Sequence, residues 1–327
     1  MLLQGSHQKS NGLRMLSVHS PKAAFIVGPT GVGKTSLSLE IAEALNAEII
    51  SADSRYLYRG MDIGTAKPTQ EELARIPHHL VDVADINENW SLAEFQKAAT
   101  FAINMILDKG KMPLIVGGTG QYIRALIEGW EVPARPAKPA LREALTKWAD
   151  EIGGYELHRR LMMLDPRAAA LIDYRNVRRT IRALEVIFHT GELFSDQRNR
   201  KPRGFVYKIA GLNRPRAELY QRIDERTEMM ITSGFVEEVK SLINQGYSKE
   251  NPPMSAIGYK EVYNYIKKIY TLDESIAEIK KRTRQFVRRQ ANWFKDADKR
   301  ICWFDAGSTM SDDIIDFFKA ADGWIEE

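Results

Sequence analysis

Eight residues near the amino end carry the clearest chemistry. Gly28-Pro29-Thr30-Gly31-Val32-Gly33-Lys34-Thr35 follows the spacing G-x-x-x-x-G-K-[ST]. Small residues there let a backbone wrap a phosphate with its N–H groups turned inward, and a following helix adds positive potential. Lys34 supplies a mobile ammonium, and Thr35 can place a hydroxyl on Mg²⁺. Gly31 occupies a variable position and carries little information in this reading. The pattern names a phosphate cradle without naming its ligand, since a diphosphate fits as well as a nucleoside triphosphate.

A hydrolase built on such a P-loop usually ends a neighbouring apolar strand in an aspartate that helps to hold magnesium. The candidate strand Pro113 to Val116 runs instead into Gly117-Gly118-Thr119-Gly120, and Asp82 lies inside its apolar run rather than at the end. Nucleotide hydrolysis is therefore disfavoured.

The elements around the cradle follow from periodicity. Ala23 to Gly28 is an apolar run that reads as a buried parallel strand, and Leu37, Ile41 and Leu45 give the next segment a helical face. Further strands are expected at Glu48 to Ala52, Leu80 to Val83, Pro113 to Gly117, Val206 to Leu212 and Arg300 to Phe304. Ser91, with Glu94 three residues on, opens a helix ending near Gly110. Such alternation predicts an α/β fold, a P-loop NTPase-like parallel sheet flanked by helices, with ligands at the carboxyl ends of the strands.

Three prolines between Val132 and Pro139 mark a hinge. After it, Leu141 to Ala149, Tyr155 to Leu164 and Asn176 to Phe188 read as helices without intervening strands. The expected organisation is a core of residues 21–128 and 205–327 with an all-helical insertion at 129–204. Residues 1–20 are set aside as an arm or scar. Helices are also expected from Pro215 to Ser233, Phe235 to Gln245 and Ile276 to Phe294.

Two longer runs make the cradle specific: Asp53-Ser54-Arg55-Tyr56-Leu57-Tyr58-Arg59-Gly60-Met61-Asp62-Ile63-Gly64-Thr65-Ala66-Lys67-Pro68 and Gly117-Gly118-Thr119-Gly120-Gln121-Tyr122. With Arg182-Ala183-Leu184-Glu185 and Arg288-Arg289-Gln290, they resemble the tRNA dimethylallyltransferase family from about Lys22 to Phe304. The resemblance implies transfer of a dimethylallyl group from dimethylallyl diphosphate to N6 of the adenosine 3′ to the anticodon, the P-loop gripping the departing diphosphate. It implies Mg²⁺ as cofactor, with Lys34, Thr35 and arginines neutralising the leaving group. Asp53, at the end of the second strand, is then the expected general base.

Arg222 and Arg226 stand at i,i+4 on one helix, and the resemblance places an arginine from this region on the diphosphate without saying which. Arg178 and Arg182 repeat that spacing beside Arg179. They are expected on tRNA phosphates, with a solvated salt-bridged face as the plain alternative. By resemblance Ser54, Arg55, Tyr56, Thr119, Arg142, Ile257, Gly258, Tyr259 and Lys260 also meet the tRNA, as does Asp53. Gly117, Gly118 and Gly120 are expected to let the nucleotide approach closely. Where many relatives carry Gln, this chain has Tyr56.

Charge adds a stripe rather than a total. The 327-residue chain has 47 basic and 43 acidic residues, net +4. Lys280 to Arg300 alone holds nine basic residues against two acidic ones, which favours an RNA face, while its Phe286, Trp293 and Phe294 are expected to pack. A lone Cys302 excludes an internal disulfide and fits a reducing cytoplasm. No segment approaches the roughly 18 apolar residues of a membrane span, and a monomer is expected. His78-His79 reads as filler before a strand, and no Cys/His cluster points to zinc. The readings that compete are a prenyltransferase for free adenine nucleotides, a P-loop small-molecule kinase, and a non-catalytic RNA binder.

Overall fold

The computed structural model describes residues 20–130, 138–196, 203–307 and 310–326. Most of the proline-rich hinge and nearly all of the amino-terminal arm lie outside those residues. The elements in chain order are β1 (Lys22–Val27), α1 (Lys34–Ala44), β2 (Ala47–Ser51), α2 (Gln70–Arg75), β3 (His78–His79), α3 (Leu92–Asp108), β4 (Met112–Gly117) and α4 (Gly120–Ile127). Then come α5 (Pro139–Ile152), α6 (Gly154–Leu164), α7 (Pro166–Leu171) and α8 (Val177–Thr190). The chain continues with β5 (Val206–Asn213), α9 (Arg216–Thr232), α10 (Phe235–Asn244), α11 (Tyr259–Ile266), α12 (Leu272–Ala291), β6 (Ile301–Asp305) and α13 (Met310–Lys319).

The six strands form one parallel sheet in the order β3-β2-β4-β1-β5-β6. β1 lies inside it, and all of Ala23 to Val27 is fully buried. That explains its unbroken apolar sequence, because both faces of a central parallel strand are covered. On one face Phe25, Phe95, Ile103, Ile123 and Phe235 build the larger core. On the other, Ile26, Leu39, Ile41, Leu212 and Ile223 build a second. From β1 the chain crosses over β4 to reach β2, and it later returns on the opposite side as β5. Connections that leave a strand in opposite directions open a crevice at its carboxyl end, where the phosphate loop sits.

The insertion helices have a core of their own, with Leu145, Leu157, Leu161, Ile172 and Leu184 at its centre. α7, absent from the periodicity reading, is too short to show a face; Asp165 caps it by accepting from the Ala168 amide at 3.0 Å. Ser91 and Glu94 form the expected capping box on α3.

The third strand is shifted. It is His78–His79, whereas Leu80 and Asp82 have φ of 61° and 55° and turn the chain away from the sheet. A left-handed pair cannot continue a ladder. His79 is more than filler: its Nε2 lies 2.8 Å from the buried carboxylate of Glu48, which also binds Lys109 and Lys111. These cations and the histidine bond hold that carboxyl at about 2 against the opposing effect of its burial.

Candidate active site

The phosphate loop spans β1 and α1. Gly31 has φ of 83° and Gly33 of 110°, a region that L side chains rarely adopt. The low weight given to Gly31 from sequence is thereby corrected: a Cβ there would be strained and would press on Leu219 and Ile223 at 3.3 Å. Lys34 Nζ donates to the carbonyls of Gly28 at 3.0 Å and Pro29 at 2.8 Å. Burial lowers its pKa to about 8; Asp53 opposes that shift and Arg226 reinforces it.

A cleft of about 410 Å³ opens over the loop. Lys34, Thr35, Asp53, Tyr56, Arg222 and Arg226 all line it, as do Thr30, Gly31 and Gly33. Arg226 donates to Thr30 Oγ1 at 2.7 Å, and Arg222 donates through Nε to the Gly31 carbonyl at 2.9 Å. Burial lowers the pKa of Arg226 too. Three cations thus converge on one pocket, an arrangement that favours a polyanion.

Asp53 follows β2, separated from the loop by β4. Its backbone is placed by a bond to the neighbouring strand and a local turn: Ala52 N donates to Val116 O of β4 at 2.8 Å, and Asp53 Oδ1 accepts from Arg55 N at 2.9 Å. Thr119 Oγ1 accepts from Ser54 N at 3.2 Å, so Thr119 braces the segment that carries the carboxylate. Tyr56 turns its hydroxyl inward to Ala66 O at 2.7 Å, and burial raises its pKa well above the ordinary phenol value.

Gly117, the last residue of β4, lines the cleft, and the protein's own packing also requires it and the glycines that follow. A Cβ on Gly117 would lie 2.3 Å from Ala52 O, one on Gly118 2.3 Å from Gln290 Nε2, and one on Gly120 2.3 Å from Trp293 Cβ. Gln290, read from sequence only as part of a motif, lines the cleft. So do Thr65, which belongs to the long motif, and Glu72, Glu225 and Met229, to which sequence gave no role in the site.

Other expected RNA contacts lie elsewhere. Arg142 reaches from α5 to the buried Glu185 of α8 at 2.9 Å and so ties those helices, while Arg182 bonds the same carboxylate at 3.0 Å within α8. Arg178 and Arg179 stand exposed on α8. Tyr259 is fully buried against Phe235 and donates to Glu238 at 2.5 Å; its ring has no surface to offer an RNA, and that expectation is withdrawn. Gly258 is buried and Ile257 is half-buried against the core, whereas Lys260 is exposed. Glu238 also accepts from the amides of Asp62, Ile63 and Gly64, fastening the long motif to α10.

The basic stripe divides. Lys280, Lys281, Arg282, Arg284 and Arg300 are paired to carboxylates. Arg288, Arg289, Lys295 and Lys299 remain exposed. Phe294 is buried and Trp293 packs on the core, as expected.

A parallel sheet with a phosphate loop at its crevice, three cations and one aspartate in the same cleft defines a P-loop protein equipped for group transfer from a phosphorylated donor. The IPP transferase family model matches residues 56–297. The chain belongs to that family. It is 48% identical over 270 residues to the tRNA dimethylallyltransferase of Roseiflexus sp. (strain RS-1), covering 83% of this chain and 88% of that one. It is 44% identical over 282 residues to the Bacillus pumilus (strain SAFR-032) protein of that name, covering 86% and 88%. Among solved structures, the tRNA isopentenylpyrophosphate transferase of Bacillus halodurans superposes with a TM-score of 0.67 at 38% identity, covering 92% of this chain and 96% of that one. A eukaryotic dimethylallyltransferase acting on tRNA gives 0.75 at 29% identity, covering 88% and 75%.

Proposed function

We propose that this enzyme transfers the dimethylallyl group of dimethylallyl diphosphate to N6 of the adenosine 3′ to the anticodon of a tRNA, releasing diphosphate. The observation that carries the reading is the shared cleft, which Lys34 of the phosphate loop, Arg222 and Arg226 of α9, and Asp53 all line. The allylic C–O bond breaks with its electron pair leaving on the diphosphate, where Lys34, Arg226 and Arg222 stabilise the charge. The adenine N6 forms the new C–N bond, and its proton passes to the Asp53 carboxylate.

Mg²⁺ fits the residues present. Thr35 offers a hydroxyl in the cleft, and no group of three acidic, His or Cys side chains poised for a metal occurs among the described residues. That suits an ion which takes most of its oxygens from substrate phosphate and water. When bound it neutralises phosphate charge.

On this reading the helical insertion, residues 129–204, and the exposed Arg288, Arg289, Lys295 and Lys299 face the anticodon stem-loop. The base leaves its stack to reach the cleft. The enzyme acts as a monomer in the cytoplasm. No helix of the described residues is long and apolar enough to cross a membrane. Incubation with radiolabelled dimethylallyl diphosphate, bulk tRNA, AMP and ATP tests it. Label on tRNA supports the reading; label on AMP, or ATP consumed without prenyl transfer, replaces it.

A further inference from the structure

Gln290 holds a place that the chemistry above does not use. Only 5% of it is exposed, although it sits at the end of a helix with Arg288 and Arg289 in solvent. Its Oε1 accepts from the Thr30 amide of the phosphate loop at 2.9 Å. Its Nε2 donates to the Gly118 carbonyl after β4 at 3.0 Å. A carboxamide is the side chain that offers one acceptor and one donor at that separation.

The bonds on either side extend the connection. Thr30, held through its backbone by Gln290, is held through its hydroxyl by Arg226 at 2.7 Å. Gly118 precedes Thr119, whose hydroxyl accepts from Ser54 N and whose amide donates to Ala52 O at 3.3 Å. Ala52 and Ser54 flank Asp53. A continuous hydrogen-bonded path therefore runs from a cation on the donor wall, through Gln290, to the segment that carries the aspartate. The space for it is reserved, because any side chain at Gly118 would displace the amide and any at Gly120 would unseat Trp293.

We propose that Gln290 is a positioning residue, fixing the phosphate loop and the acceptor wall relative to each other and making that spacing depend on the seating of α12. This rests on the prenyl-transfer reading. On that reading the donor is held by the phosphate loop and the acceptor meets the Asp53 segment, so a slack joint between them affects the step in which the substrates meet more than the binding of either. A displacement of about 1 Å between reacting groups costs on the order of 10²-fold in rate.

The test compares wild type with Gln290→Met, which removes both bonds, and Gln290→Glu, which keeps the shape and an acceptor but loses the donor. Steady-state transfer is measured with dimethylallyl diphosphate and tRNA each varied, alongside thermal melting. The expected result is kcat lowered about 10- to 100-fold in both variants, with both KM values within about threefold of wild type. Should the Met variant fail to fold, the Glu variant carries the test. An unchanged kcat in the folded variants overturns the proposal. So does a tRNA KM raised about tenfold at unchanged kcat, which would make Gln290 an RNA contact instead. If wild type transfers no prenyl group to tRNA, the underlying reading fails, irrespective of Gln290.

Discussion

Arg226 donates to the Thr30 hydroxyl of the phosphate loop at 2.7 Å, whereas Arg222, one helical turn earlier, reaches only the Gly31 carbonyl. The two arginines share a helix and a cleft but differ in burial: burial lowers the pKa of Arg226, while the guanidinium bond of Arg222 lies exposed. A desolvated cation interacts more strongly with an anion than a hydrated one. Replacing Arg226 by Ala is expected to lower kcat/KM for dimethylallyl diphosphate about 100-fold, and Arg222→Ala about tenfold or less. Steady-state kinetics on the two variants decides the order; equal losses would mean that both guanidiniums meet the diphosphate alike.

Lys34 gives the cleft a pH dependence. Its pKa of about 8 lies below the ordinary 10.5, so keeping it charged costs folding free energy below pH 8. That cost is relieved as pH rises from 8 towards 10.5, where the unfolded chain binds the extra proton. A diphosphate favours the ammonium. Affinity for a non-reactive dimethylallyl diphosphate analogue should be level below about pH 8 and fall up to about tenfold per unit above it. Calorimetry in buffers of different ionisation heat should show proton uptake at pH 9 and little at pH 7. Uptake that is the same at both values would contradict the assignment.

Asp53→Asn keeps the Arg55 amide bond and removes the base. Turnover should fall roughly 10²- to 10⁴-fold while the donor analogue still binds within about threefold. Near-normal turnover would dismiss Asp53 as the proton acceptor.

Glu185 of α8 joins that helix to α5 through Arg142 and also holds Arg182 of its own helix. Glu185→Gln should destabilise the insertion by about 1–2 kcal/mol, less than a fully buried pair because Arg142 is half in solvent. The tRNA KM should rise while binding of the donor analogue is unaltered. Filter binding with each ligand separates these effects, and a loss of donor binding would place the helical insertion within the donor site.

What could be read from the chain beforehand was local. The strand–loop–helix around Lys34 announced itself through buried-strand composition, glycine spacing and an amphipathic helix, and its neighbours followed from the same periodicity. β3 was misplaced because apolar residues at Leu80 and Val83 imitate a strand, while the positive φ at Leu80 and Asp82 bends the backbone away. α4 was missed because it opens at the end of the glycine run Gly117-Gly118-Thr119-Gly120; Tyr122 in it stacks on Phe95 at 3.8 Å. α11 and α13 are short, and α13 packs on α1, far away in sequence. The role of Gln290 was invisible for the same reason: its bond to Thr30 spans 260 residues. Five of the nine stripe cations proved to be ion-paired; for Lys280 and Arg284 the acids, Glu228 and Asp224, come from another helix.

The arrangement of donor and acceptor is tested most directly by a crystal structure with a non-reactive dimethylallyl diphosphate analogue and an anticodon stem-loop. The account predicts the diphosphate against the Gly31 to Thr35 backbone with Lys34 and Arg226 on its oxygens, and the Asp53 carboxylate within about 3 Å of the adenine N6. A diphosphate bound elsewhere, or an Asp53 carboxylate facing away from N6, would contradict it.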